Sequence, residues 1–569
     1  MVEVVDPLII IVIGAIIFII YHLLTKNKKK LKKIQNEWET GEFLALNEDI
    51  KSISSYWENK KSNTGNYNGI DQLTSDDLAM DEVYKKLNYT QSSVGSEYLF
   101  NQIRDIRPEL EHVYDKEELY TLLAANKGLR EEVLLILSSL GKKDYTNTSS
   151  FFYELNDRKI KNTYVYVLLA LWPIMSITLM FFSIKYGIFS FIGAFTTNTL
   201  IYYRTKNTME NRLFSITYVA AVVNAGRRLG SVNNREFEAY ANEIKENVKP
   251  IKRISFWGNL VSPGEGSAFD LFFEYIRMLF MLDFIAYNKI VRTIADYQDE
   301  YREVWERIGE LDSAIAVAFY RKSLDTYCKP TFVEEEELSF ENLAHPLIKN
   351  PVTNNSTLYK STLVTGSNAS GKSTYIKAIA INAILAQTIN TVLAENWTMK
   401  PSYVVTSMAI QDNVLDGDSY FIAEIKSLQR ITRMIEAGKS CISFIDEILK
   451  GTNTIERISA SGAMMEWLSS SKGMNIIASH DIELTEMARY TYTNYHFRES
   501  IEDGEVLFDF KIHSGPSKTR NAIKLLELLG YPESITKKAN GLAKHFTESR
   551  EWGEIGGRKK KMEGMKWNL

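Results

Sequence analysis

TGSNASGKST, residues 365–374, decides how the C-terminal half of the chain is read. Gly366-Ser367-Asn368-Ala369-Ser370-Gly371-Lys372-Ser373 fits G-x-x-x-x-G-K-[ST] in full, and Thr374 completes the stretch. Glycines at those two positions let backbone N–H groups turn inward around phosphate oxygens, and a helix that follows adds its positive end. The pattern gives Lys372 the β- and γ-phosphates and the Ser373 hydroxyl a place on Mg²⁺. Chance matches occur, so context decides. STLVT before the loop reads as a strand and YIKAIAINAILAQ after it as a helix, the order such a loop needs.

Working outward, SCISFID is an apolar strand that ends in Asp446 and Glu447. Acids at the end of a buried strand suit the other half of a nucleotide site, Asp446 holding Mg²⁺ through water and Glu447 polarising the attacking water. MNIIAS is the next apolar run and ends at His480, placed to sense the γ-phosphate or orient water. With SYVVTSMAI these runs alternate with helical stretches, which predicts parallel strands joined by crossover helices from about residue 336.

Upstream the texture is helical. Residues 36–161 and 207–321 show apolar residues at three- and four-residue spacing. AFDLFFEYIRMLFMLDFIAY, residues 268–287, carries Asp270, Glu274, Arg277 and Asp283 and is expected to be one long amphipathic helix, with an interfacial position on a membrane as the alternative. ADYQDEYREVWERIGELDSAIAVAFYRK then reads as a solvent-laced helix leading into a buried one.

Three apolar segments break this pattern. Residues 7–24 are long enough to cross a hydrocarbon core. Glu3 and Asp6 precede them, and six lysines lie between Lys26 and Lys33. That order favours an uncleaved anchor with its N-terminus outside over a signal peptide. Residues 163–203 carry Lys185 as their one charge, and a turn near Lys185-Tyr186-Gly187 predicts two further spans, with a buried soluble hairpin as the alternative. Pro173 is tolerated in a membrane helix. The expected order is an anchor over 1–24, a basic juxtamembrane linker over 25–69, a helical region over 70–160 and a transmembrane hairpin over 161–205. A helical lever over 206–335, an ATPase domain over 336–545 and a basic flexible tail over 546–569 follow. The chain has 569 residues, net charge -4 and two cysteines, Cys328 and Cys441, in no metal-type spacing. This excludes a disulfide framework and a uniformly basic surface.

TGSNASGKST, GDSYFIAEI (417–425), FIDEILKGTNT (444–454) and ASHDIELT (478–485) together resemble the ATPase domain of the MutS family, in its order and spacing. HPLIKNPVTNN is similar to that domain's lead-in and GPSKTRNAIKLLELLGYPESITKKA to its closing segment. Residues 70–103 are similar to the start of the family's helical core. The resemblance implies a MutS/ABC-like parallel-sheet P-loop NTPase beside a mainly helical core and lever. It also implies ATP with Mg²⁺, and a homodimer in which Ser419 of one subunit completes the other's site in trans. Asn368 matches the family's loop asparagine, Asp446 and Glu447 its metal and water acids, and His480 its switch histidine.

Departures are Ser367, Ala369 and Ser370 where the family has proline, methionine and glycine, and Asp418 where it has arginine. The interval between anchor and core-like segment leaves no room for a mismatch-recognition domain. The expected function is therefore a membrane-anchored, multi-pass ATPase with its catalytic domain in the cytoplasm, coupled to DNA. The alternative is an ATP-gated membrane switch or scaffold with a protein or lipid partner, and a transporter is a third option disfavoured by spans that carry almost no ionisable residues.

Overall fold

The computed structural model describes residues 28–552 apart from 45–46, 64–68, 108, 154–159, 161–162, 262–267, 360, 409–419, 503–504 and 518–521. The anchor expected over 7–24, Ser419 and the basic residues 558–561 lie outside the described residues.

The C-terminal part holds a six-stranded sheet. Its strands are β4 (Thr362–Thr365), β6 (Tyr403–Ser407), β7 (Cys441–Asp446), β8 (Gly473–Ser479), β9 (Thr493–Glu502) and β10 (Glu505–Ser514), in the order β10-β9-β4-β8-β7-β6. All neighbours are parallel except the β9–β10 hairpin. A smaller sheet of β1 (Thr331–Phe332), β2 (Leu338–Leu343), β3 (Asn354–Leu358) and β5 (Asn396–Met399) flanks it. Successive side chains of a strand face opposite ways, and the sequence uses this in pairs. Val364, Phe444 and Ile476 join the core shared with the helical region, while Leu363, Ile445 and Ile477 join a second core with Leu428 and Leu468 on the other face.

The helices that matter for the site are α1 (Ser93–Gln102), α2 (Glu111–Ala125), α3 (Thr163–Phe182), α4 (Ile184–Leu229), α5 (Ala268–Leu279), α6 (Leu282–Asp296), α7 (Gln298–Ser323), α8 (Lys372–Ile389), α9 (Tyr420–Glu436) and α10 (Thr454–Ser470). α8 is buried on nearly every side, which is why its sequence is apolar all round. Its C-terminal carbonyls, left without intrahelical partners, are clasped from the helical region. Arg321 of α7 donates to the carbonyls of Ile389 at 3.1 Å and Asn390 at 2.9 Å, while Glu117 of α2 accepts from the same guanidinium at 2.7 Å. Gln102 of α1 donates to the Thr388 carbonyl at 3.1 Å. Asp77 accepts from the Thr406 hydroxyl at 2.6 Å and from Met408 N–H at 3.0 Å, which ties the same region to the end of β6.

The structure departs from several expectations. Among the described residues, which leave out 7–24, one helix, Thr163–Phe182, is long and apolar enough to cross a membrane, where two spans were expected over 163–203. The second arm falls short because Lys185, Asn198 and Thr196–Thr199 polar groups dilute it, and it has no end of its own near residue 203. It continues unbroken as the 46-residue α4, so hairpin and lever share one helix. The long helix expected over 268–287 is two, because Met281 takes a left-handed backbone with φ of 51° between α5 and α6. The charged stretch before residue 311 is solvent-laced on one face, with Asp299, Arg302 and Glu303 exposed or half-exposed, and buried on the other through Tyr301, Val304, Trp305 and Ile308 of α7. The hairpin turn itself falls at Ser183, two residues before Lys185.

Candidate functional site

The loop between β4 and α8 is built by its glycines. Gly366 has φ of 142° and Gly371 φ of 100°, values that L side chains rarely adopt, and a single turn of 3-10 helix, Asn368–Ser370, lies between them. Lys372 is 1% exposed, and its ammonium donates to the carbonyls of Gly366 at 2.6 Å and Ser367 at 2.8 Å. Burial pushes its pKa down, against the pull of Asp446 and Glu447. Ser370 Oγ donates to the Ser367 carbonyl at 2.7 Å, and Ser367 Oγ donates to Glu499 of β9. Ala369 and Thr374 stand at the rim of a cavity beside the loop.

The three strand ends then bring the acids and the histidine to this loop, because β8 lies between β4 and β7. Ser373 Oγ donates to Asp446 Oδ2 at 2.6 Å, so the two oxygens expected to hold Mg²⁺ already face each other. Hydroxyl and carboxylate are hard oxygen ligands, which fits a magnesium ion kept partly by water and phosphate.

Glu447 is 7% exposed and has φ of 68°, a strained backbone for a glutamate that recurs at functional positions. Its N–H donates to the Ala478 carbonyl at 2.9 Å, extending the β7–β8 pairing by one residue and setting the acid opposite His480. His480 Nδ1 lies 2.9 Å from Glu447 Oε1 and Lys450 Nζ 3.2 Å from Oε2. Burial works to raise the Glu447 pKa, but the hydrogen bond and charge of His480, with Lys450, outweigh it and hold the acid at about 2. The same hydrogen bond raises His480 above its ordinary value.

Two parts of the site were missed by sequence reasoning. Lys450, in FIDEILKG, is one; a lysine three residues past the acid at a strand end was its signal. The other is a cavity of about 350 Å³ beside the loop, lined by Ile348, Pro351, Val352, Tyr375, Phe497 and Phe510. A slipped register in β10 between Phe508 and Ile512 turns Phe510 toward the loop, where its ring lies 3.1 Å from the space a Cβ on Gly371 would fill. An aromatic, apolar pocket opening beside a phosphate loop has the chemistry of a nucleobase site. Its walls come from three separated segments. Asn368 takes its place in the loop backbone, and Ser419 lies outside the described residues.

The family model for MutS domain V matches residues 362–547. The chain is similar to the DNA mismatch repair protein MutS of Lactobacillus delbrueckii subsp. bulgaricus, 25% identical over 47% of this chain and 32% of that protein. The DNA mismatch repair protein MutS of Natronomonas pharaonis is 28% identical over 46% of this chain and 31% of its own length. That of Petrotoga mobilis is 30% identical over 44% of this chain and 32% of its own length. The chain thus spans about a third of the length of these curated relatives.

Proposed function

We propose, on the premise that this chain belongs to the MutS family, that it is an ATPase tethered to a membrane, with each ATP site completed by a second copy of the chain. The reading rests on the meeting of Ser373 with Asp446, and of Glu447 with His480, at one strand edge beside the phosphate loop.

The residues divide the work. Gly366 to Ser373 wrap the phosphates, and Lys372 exchanges its two loop carbonyls for phosphate oxygens as nucleotide enters. Mg²⁺ held by Ser373 and, through water, by Asp446 would neutralise charge on the β- and γ-phosphates. Glu447, held near pKa 2, accepts a hydrogen bond from the attacking water and orients it; so weak a base does not take the proton early. His480 fixes the Glu447 carboxylate in place. Ser419 of the partner subunit, by resemblance, closes the site in trans.

The membrane part of the proposal is carried by α3 and the first turns of α4. Phe181 and Phe182 are each 85% exposed, and Leu168, Met175 and Phe189 between 62% and 68%. An unbroken apolar surface of that length fits lipid and not water. With basic residues at both flanks, the ATPase domain stands on the cytoplasmic side, and residues 7–24 are a further anchor. The relatives' names bring DNA to this chain as a proposed partner. A second reading, an ATP-gated switch acting on a protein or lipid without DNA, is favoured by α4, which joins hairpin to lever without a hinge.

Steady-state ATP hydrolysis of the detergent-solubilised chain, with homoduplex, mismatched and branched DNA at two salt concentrations, separates the two. Stimulation that fades with salt supports DNA handling, since phosphate contacts weaken with salt. Hydrolysis indifferent to all three supports the switch, and no hydrolysis in any condition refutes both.

A further inference from the structure

The α5–α6 elbow is the feature that the ATPase reading leaves unused. Three contacts fix its height against α4. Lys206 lies 3.3 Å from Glu274 of α5, Asn198 Nδ2 donates to the Leu279 carbonyl at 2.7 Å, and the Tyr202 hydroxyl donates to Asp283 of α6 at 2.6 Å. Counted from the hairpin tip at Ile184, a helical rise of about 1.5 Å per residue puts Lys206 at ~33 Å, Asn198 at ~21 Å and Tyr202 at ~27 Å. α5 therefore descends toward the hairpin tip, the chain turns at Phe280 and Met281, and α6 climbs away.

The hydrocarbon core is about 30 Å thick, the length of α3 and the height of Arg204 on α4. If the tip stands at the far surface, the elbow lies ~9 Å below the near one. Its surroundings suit that depth. Above the elbow, at about the level of the near surface, Phe272, Phe273 and Tyr275 of α5 are 61%, 56% and 58% exposed, aromatic rings on a helix that packs on α4. A break between two helices is tolerated at such a depth only where its backbone groups are satisfied by protein. Asn198, fully buried, meets that need by donating to the Leu279 carbonyl and, at 3.0 Å, to the Leu169 carbonyl of α3. Glu274 meets Lys206 at the upper end, and Arg277, nearer the elbow, donates to the Val261 carbonyl at 2.9 Å.

We propose that the α5–α6 elbow is a wedge seated in the cytoplasmic headgroup–acyl boundary of the bilayer, its aromatic face against lipid. This rests on the reading of the hairpin as membrane-embedded. The occupant of the aromatic face is lipid, because α5 packs on α4 at the near end of the apolar hairpin, where the half-exposed Lys206–Glu274 pair marks the polar layer beside exposed aromatic rings. Aromatic rings favour that layer, and interfacial helices bury their apolar faces to about 5–10 Å there.

The test uses the full chain in phosphatidylcholine vesicles, with an environment-sensitive NBD label on Phe273→Cys and, separately, on Met175→Cys in the middle of α3. The unmutated chain labelled in parallel supplies the background from Cys328 and Cys441. Quenching of the label at 273 by 5-doxyl lipid roughly twofold above that by 12-doxyl lipid, with protection from aqueous iodide, is the expected result. At 175 the 12-doxyl lipid dominates. Iodide quenching at 273 with no lipid quenching, while 175 keeps its response, overturns the wedge and leaves the hairpin reading intact. Silence toward lipid at both positions overturns both, and dominance of 12-doxyl lipid at 273 replaces the wedge by a deeper span. Tyr275→Cys repeats the measurement should the first variant not fold.

Discussion

Replacing His480 by asparagine tests the electrostatic core of the proposed site. Glu447 sits at about 2 against an ordinary 4.5, a depression that corresponds to roughly 3 kcal/mol in favour of the carboxylate at about 1.4 kcal/mol per unit. His480 supplies the largest part of the lowering, with Lys450 the other cation. Lys450 is 36% exposed and screened by water, so it does not replace the imidazolium. The variant is expected to lose about 1–2 kcal/mol of that stabilisation, with Glu447 rising toward its ordinary range.

The pH dependence has a definite sign. Glu447 is lowered, so its contribution is present above 4.5 and fades as pH falls toward 2. His480 is raised, so its contribution is complete below 6.5 and fades as pH climbs through its higher native value. Asp481, 3.7 Å from His480 Nε2, and Arg457, paired with Asp481, face the same imidazole. The difference in Tm between wild type and His480→Asn should be largest between pH 4.5 and 6.5 and shrink above it. Hydrolysis at neutral pH should fall about tenfold to a hundredfold, because a water-orienting acid is displaced, and an acid limb should enter the rate profile. Thermal melts and ATPase rates between pH 4 and 9 read both. Superimposable profiles for the two proteins would refute the coupling.

Other outcomes follow from the same geometry. Glu447→Gln should lower kcat by about 10²–10⁴ while ATP still binds, trapping an ATP-bound dimer visible by sedimentation; normal turnover would remove Glu447 from the mechanism. Lys372→Ala should abolish binding of a fluorescent ATP analogue. Ser419→Ala alone should be inactive, yet mixing it with Lys372→Ala should restore measurable hydrolysis, and mixtures that stay dead would count against a shared site. Arg321→Met should destabilise the chain by about 3 kcal/mol, since it strips a buried pair and two helix-end carbonyls of their partner, read as a drop in Tm with Glu117→Gln as the comparison. Gly473→Ala should cost on the order of 3 kcal/mol, because its Cβ would stand 2.1 Å from the Cys441 carbonyl at a φ of 104°; an unchanged melt would show that β7 can shift.

The phosphate loop was legible in the sequence because its backbone can be built only with glycine at positions 366 and 371, flanked by a strand and a helix. Asp446, Glu447 and His480 were legible because strand ends in a parallel sheet gather at one edge. The apolar pocket beside the loop was not, since Phe510 faces the loop only through a register slip, and a phenylalanine in a strand reads as core. The β9–β10 hairpin had a signal in Asp503-Gly504 that was passed over. The break at Met281 gave none, because methionine is an ordinary helix former. The Arg321 clasp joins residues of α2, α7 and α8 that no local pattern connects.

Helix α4 has a mechanical consequence. Its 46 residues make a rod of about 69 Å, of which the first ~30 Å lie along the apolar hairpin. A lipid layer thinner than those ~30 Å is matched by tilting the rod, and a tilt of roughly 10° carries its far end sideways by ~12 Å. That end packs on α7, whose Arg321 grips the base of the phosphate-loop helix. On the proposed membrane reading, bilayer thickness becomes a load on the proposed nucleotide site, and the chain has the build of a strain gauge.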